Sequence, residues 1–321
     1  MSRLEARPYL VLAIGVAAVS SAAIWVRLSN LPPLVLAFYR LGFSAAALWP
    51  LWLAGRRQGR GAGAPAEGGP HLWRLWAAVA GVSLAAHWSV WFASLELTSV
   101  LSSTVLVTTQ PLFVVFVSWL LWRQRISRGQ SAALAMALLG GVVIASADAL
   151  AGGSSDAARA PAGLAGESLY GDALALLAAA LVSVYLLVGQ RLRARVALLD
   201  YLIVVYSAGA LALLAVARLL NLPLWGYPSR EVWVGLGIAA VPTLIGHSAL
   251  NAVVARLGAS TVATAVLGEP VGASVLALVL FREWPTLLHW LGAAMILAGI
   301  YLFSLPTRNS SRREVQPSAV P

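Results

Sequence analysis

Two charged side chains, Arg40 and Glu269, stand deep inside long apolar stretches of this chain. A charge at the centre of a membrane-crossing helix costs at least about 2.5–3.5 kcal/mol on insertion scales. Each must therefore face the protein interior and be paired or put to use. Three roles are open to Glu269: binding a cationic group of a ligand, carrying a coupling proton, or forming an ion pair with Arg40. His87 and His247 lie in two further apolar stretches. Each can titrate or hydrogen-bond a ligand, and each equally suits a packing role. Trp88, Trp91 and Asn251 stand near them as lining for the same cavity or as ordinary helix-packing groups.

Two prolines mark a second set of candidates. Pro111 and Pro270 sit within apolar runs at corresponding places in the two halves of the chain. Each removes one backbone donor and disturbs the carbonyl four residues earlier, here those of Val107 and Val266. A carbonyl freed near mid-membrane must face protein, water or ligand, so both prolines are read as hinges beside a cavity. At helical spacing around Pro111 run Ser99, Ser102, Ser103, Leu106, Thr109 and Gln110. Around Pro270 run Thr261, Ala265, Gly268, Glu269 and Gly272, with Thr264 a further hydroxyl. Hydroxyls in such helices also simply bond the preceding turn, and the Gly268/Gly272 spacing reads equally as a packing face. The expected ligand-binding set is Glu269, Arg40, Gln110, Thr109, Ser103, His87, Trp88, His247, Asn251 and Thr264. No catalytic residue, metal ligand or cofactor is expected.

These residues need a membrane scaffold around them. Of 321 residues, 60% are hydrophobic and 11% are charged, against about 45–50% and about 25% in soluble domains. So little charge cannot cover a water-soluble globule, which points to a polytopic membrane protein. There is no cysteine, which excludes disulfides, thiolate nucleophiles and cysteine-bound zinc. All 22 basic residues are Arg, so a phosphate-binding lysine loop and Schiff-base chemistry are excluded too. The net charge of +10 resides mostly in short loops between apolar runs. It reads as membrane topology, not as nucleic-acid binding.

Ten apolar stretches are long enough to span: 8–26, 28–55, 75–95, 97–122, 129–147, 173–190, 201–217, 232–255, 257–281 and 284–307. A span needs about 20 residues, with a range of about 17–25. The first run, with Arg3, Arg7 and small residues at 20–23, also resembles a signal peptide. It continues through Trp25 into a Pro-Pro turn, and its removal would leave an odd count. With the amino terminus inside, cytoplasmic segments hold 16 Arg and external ones 5. The positive-inside rule then places both ends in the cytoplasm. Many Trp residues, such as Trp49, Trp122, Trp233 and Trp284, fall near span ends as interfacial anchors do.

The chain also repeats itself. Gln110-Pro111 aligns with Glu269-Pro270, Trp122-Arg123-Gln124 with Phe281-Arg282-Glu283, and Gly140 with Gly299; His87 aligns with His247 after a one-residue slip. Five spans lie on each side of a Gly/Ala/Ser-rich segment. Residues 1–148 are thus read as one repeat, 149–168 as an external linker, and 169–321 as a second repeat with a basic tail. An odd number of spans per repeat forces the second copy to enter the membrane upside down. The expected fold is all-α: a polytopic membrane bundle of ten transmembrane helices in two inverted five-helix repeats. Inverted repeats recur in secondary transporters.

The segments 97–143 and 257–301 resemble the paired repeat of the drug/metabolite transporter superfamily, EamA-type branch. Thr98-Ser99, Pro111, residues 120–125 and Gly140-Gly141 carry the likeness in the first half. Gly258-Ala259, Leu267-Gly268-Glu269-Pro270-Val271, residues 280–283, Gly292 and Ala298-Gly299 carry it in the second. Phe38-Tyr39-Arg40 resembles that family's second span. Gln124 departs from the acid often found there. The resemblance covers about residues 8–305. It implies ten helices, a midplane cavity among helices 3, 4, 8 and 9, and efflux or exchange of small metabolites across a cell membrane.

The expected function is a secondary transporter that exports or exchanges a small metabolite, amino acid or drug by alternating access. Its partners are a small-molecule substrate and the lipid bilayer. A coupling proton and a homodimer are left open, and nucleic acid is not a partner. The expected location is the inner membrane of a bacterium, from the Ala/Leu/Arg-rich, Lys-free composition. Three other classes compete. A membrane-embedded enzyme would gather acids and His at one face; a structural subunit would lack the polar stripe and the duplication. A channel would need a continuous polar pore or charged rings.

Overall fold

The computed structural model describes residues 3–58, 69–97, 103, 106–124, 126–150, 165–281 and 286–305. Ser99, Ser102, Arg125, Arg282, residues 151–164 and the tail from 306 lie outside the described residues. Among the described residues every regular element is a helix. α1 (Arg3–Ser20) and α2 (Ala22–Leu28) meet at Ser21, where the Ser20 and Ser21 hydroxyls donate to the carbonyls of Val16 and Ala18 at 2.8 and 2.7 Å. α3 (Pro33–Arg57) starts on Pro32-Pro33, whose missing N–H groups cost nothing at a helix start. α4 (Gly69–Leu97), α5 (Gln110–Trp122) and α6 (Arg128–Leu150) complete the first half. α7 (Ala165–Arg193) and α8 (Leu198–Leu219) open the second. The helices thus take up both ends of the stretch expected as a linker.

α9 (Ser229–Ile238), a π-helix (Ala239–His247) and α10 (Ser248–Leu257) form the next rod. α11 (Ala259–Val266), α12 (Glu269–Phe281) and α13 (Leu287–Ser304) close the chain. Among the described residues seven helices are long and apolar enough to cross a membrane, and 10–17-residue apolar helices cover Gln110–Trp122 and Trp290–Ser304. In the seven spans only 40–50% of each apolar window is buried. The rest presents large apolar side chains outward, among them Leu51, Leu121, Leu211 and Val279. A water-soluble protein rarely exposes so much apolar surface, whereas lipid accommodates it. The core is built mostly of Ala, Leu and Val, and Trp88, Tyr185, Tyr201 and Tyr206 are its largest fully buried groups.

The packing partners repeat when the halves are exchanged. α4 packs on α7 as the π-helix and α10 pack on α1, and α5 packs on α7 as α12 packs on α1. α3 with α8 and α6 with α13 are pairs that map onto themselves. The last pair shows the relation at atomic scale. A Cβ on Gly140 would come 2.7 Å from the Gly292 carbonyl oxygen and 2.9 Å from Ile296. A Cβ on Gly299 would come 2.6 Å from the Ala133 oxygen and 2.7 Å from Ala137 Cβ. These are the same positions of the two repeats with their roles exchanged, as a two-fold axis requires.

Two spans are broken at matching points. The run expected as one helix across 97–122 turns at Thr108-Thr109 before α5, and the run across 257–281 turns at Leu267-Gly268 before α12. Tight three-residue bonds close both turns: Thr109 N–H to Leu106 O at 3.1 Å, and Gly268 N–H to Ala265 O at 2.9 Å. Pro111 and Pro270 are therefore second residues of new helices, not kinks inside continuous ones. There their missing N–H is one of the orphan donors of a helix start.

Candidate functional site

The centre of the bundle is built on Arg40. The residue lies midway along α3 and is 2% exposed. α3 carries it there because its neighbours Ala37 and Leu41, a turn apart on the same face, are fully buried. Its Nε–H donates to the Thr243 hydroxyl at 2.8 Å. Its guanidinium carbon stands 3.7 Å from the centroid of the Trp88 ring, a cation–π contact that desolvation strengthens. Thr243 is itself held, since its hydroxyl donates to the Ile238 carbonyl at 3.0 Å and its carbonyl accepts from Tyr206 Oη at 3.3 Å. These bonds rest on the π-helix, whose wider turn re-aims backbone and side chains and recurs at functional sites.

His247 ends that π-helix. Its ring meets Trp88 edge-on at 5.5 Å and Tyr185 at 6.0 Å. Its Nδ1 is buried without a hydrogen-bond partner, a capacity left over for a ligand or water. Asn251, one turn on, donates from Nδ2 to the His247 carbonyl at 2.7 Å and to the Tyr185 hydroxyl. Arg193 Nε–H in turn donates to the Asn251 carbonyl at 3.1 Å. His87 on α4 sits 2.8 Å, through Nδ1, from the Ala178 carbonyl of α7 and stacks on Trp91 at 6.2 Å. Both histidines lie within electrostatic reach of Arg40.

Glu269 is the first residue of α12 and is half-buried. Its carboxylate attracts Arg40 through space, yet the two make no contact ion pair. Another acidic residue, Glu231, pairs with its neighbour Arg230 at 3.3 Å at the start of α9. Arg40 and Glu269 thus lie within electrostatic range of one another, with the hydrogen-bonding capacity of both largely unspent.

The structure therefore gathers Arg40, Trp88, His87, His247 and Asn251 into one cluster with Glu269 in its field. The remaining candidates bond elsewhere. The Ser103 and Ser94 hydroxyls are 2.6 Å apart, Thr109 Oγ1 donates to Leu106 O at 2.6 Å, and Thr264 Oγ1 to Ser260 O at 2.8 Å. The Gln110 carbonyl accepts from Ser183 Oγ at 3.1 Å. None of the four makes a hydrogen bond to Arg40, His247 or Glu269. Tyr185, Tyr206 and Thr243 belong to the cluster and were not singled out from sequence. Pro242 inside an apolar run was the available signal for the third, and a mid-span tyrosine hydroxyl for the other two.

The sequence model of the EamA-like transporter family matches the chain twice, over residues 7–146 and 169–305. Among curated proteins no match is found. Among solved structures, one crystal structure is similar over 92% of this chain and 98% of its own, with a TM-score of 0.72 and 23% sequence identity. At that identity the likeness speaks to the fold.

Proposed function

The chain belongs to the EamA-like transporter family, and from that premise we propose that it is a secondary transporter whose substrate carries both a carboxylate and an ammonium group. A multi-pass membrane protein of a family of transporters implies a small-molecule cargo. The observation that carries the finer reading is the unpaired opposition of Arg40 and Glu269. Arg40 makes one hydrogen bond among the described residues and leaves the fork of its guanidinium uncommitted. That fork matches a carboxylate bidentately. The Glu269 carboxylate can accept from an ammonium, and a zwitterion between them neutralises two charges that are costly inside a membrane. Trp88, His87, His247 and Asn251 supply its walls. Ser103, Thr109, Gln110 and Thr264 border it from the broken spans.

Ten crossings in two inverted halves (1–148 and 169–321) form the scaffold of this reading. The shorter helices α5 and α13, together with α6, account for the crossings beyond the seven long ones. The halves rock so that the chamber opens to each side in turn, with Pro111 and Pro270 at the breaks where α5 and α12 begin. Export or exchange across the inner membrane follows, with both termini in the cytoplasm, as the arginine count supports. A proton on Glu269 is the coupling ion that the site accommodates.

Counterflow in reconstituted vesicles tests it. Purified protein should exchange at least one radiolabelled amino acid, and Arg40→Gln and Glu269→Gln should each lower that flux at least tenfold. Flux no greater than in empty vesicles for every amino acid tried, or wild-type flux in both variants, would sink the zwitterion reading.

A further inference from the structure

A cavity lies away from Arg40, at the end of the bundle where α5 runs out and α11 begins. It encloses about 250 Å³ and is lined chiefly by Ser118, Gln124, Gln130, Ser260, Thr261 and Phe303. By the arginine count this end faces the cytoplasm. Among the described residues no charged side chain lines it. Hydroxyls and amides, which donate and accept alike, alternate with apolar groups.

Ser118 is the unusual member. It is 3% exposed, and its hydroxyl has no hydrogen-bond partner. Other serines in these helices turn back on a carbonyl one turn earlier: Ser20 on Val16, Ser44 on Arg40, Ser89 on Ala85, Ser183 on Ala179 and Ser304 on Ile300. A buried hydroxyl left unpaired costs about 1–3 kcal/mol, a cost that an occupant of the cavity removes. The walls around it are set in advance. Gln130 Oε1 accepts from Ser127 N–H at 3.0 Å, and its Nε2 donates to Phe303 O at 3.4 Å. The Ser118 carbonyl accepts from the N–H groups of Arg123 and Gln124 across a left-handed turn at Arg123, φ 54°.

We propose that this cavity is a binding site for a small uncharged polar molecule of polyol or nucleobase size, distinct from the charged chamber at Arg40. Its volume lies just below the about 300–1,000 Å³ of pockets for drug-sized ligands. Charged solutes find no counter-charge among the lining residues, whereas an uncharged one finds donors and acceptors on both walls. The occupant bridges α5 of the first repeat and α11 of the second, so it favours whichever state holds those helices together. That consequence rests on the transporter reading; the binding site itself does not.

The chain has no cysteine, so a single thiol can report on the cavity. Ser118→Cys is near-isosteric, and Thr261→Cys places a thiol on the opposite wall. Each purified variant is treated with a small thiosulfonate reagent, with and without millimolar myo-inositol, uracil, acetate or choline. Myo-inositol or uracil should slow modification of both thiols at least threefold, and acetate and choline should not. Protection should persist in the Arg40→Gln background, whatever the vesicle flux does. Four outcomes overturn the proposal: no protection at either position, equal protection by all four solutes, modification of neither thiol, or loss of protection with Arg40→Gln.

Discussion

Arg40 shows how a single side chain can be tolerable and useful at once. Its charge is partly met by the Trp88 ring face and by one hydroxyl, that of Thr243. Thr243 therefore positions the guanidinium without touching a ligand. Thr243→Val keeps the volume but strands the Arg40 Nε–H and the Ile238 carbonyl. It should cost about 1–3 kcal/mol of stability, read as a lower thermal midpoint in detergent, while Thr243→Ser should restore most of it. An unchanged midpoint would mean that Arg40 is held by something else. Arg40 and Glu269 were legible from sequence because a charge amid apolar residues is conspicuous. Tyr206 and Tyr185 were not, since a tyrosine in a span looks like any other aromatic until its hydroxyl has a named partner. Thr109 and Thr264 were singled out by their spacing, and their hydroxyls bond the nearby carbonyls of Leu106 and Ser260. Spacing reports which residues share a face, and the distances decide what each hydroxyl bonds.

At the scale of elements, the contact between α6 and α13 depends on absent side chains. Gly140 and Gly299 let two helices approach until backbone meets backbone, the close packing that small residues permit in membranes. Gly140→Leu and Gly299→Leu should each force the pair apart, at about 1–3 kcal/mol or more, and by similar amounts because the positions are equivalent. Gly141, whose Cβ would meet nothing within 4 Å, should accept the same change. Monodispersity after extraction, followed by size exclusion, checks this; a Gly141→Leu defect as large as the other two would contradict the packing. The match of Gly140 to Gly299 could be seen in the sequence, but what each glycine touches could not. The proline signal behaved likewise. Pro111 and Pro270 marked the interrupted spans correctly, while the breaks fall just before them, where three-residue turns end one helix and a new one starts on Gln110 or Glu269. The π-helix at Ala239–His247 had only Pro242 to announce it.

For the whole molecule, the proposed five crossings per half with an inverted second copy would put the two ends on one side and the mid-chain connection on the other. Single cysteines at Ser2 and Ser318 should react with an impermeant maleimide from the same face, and one at Ser154 from the opposite face; any other pattern would break the inverted arrangement. The amino-acid sequence by itself determined that this is an all-helical membrane protein with a duplicated pattern. Those properties follow from apolar length, charge placement and repetition, which are written along the chain and need no knowledge of contacts. The tertiary structure alone decided that Arg40 and Glu269 make no ion pair and that Trp88 and Thr243 hold the guanidinium. It alone also decided that Ser118 lines a cavity at the end of α5. Such facts depend on distances of a few ångströms between residues as much as 203 positions apart, and helix packing, not local pattern, sets those distances.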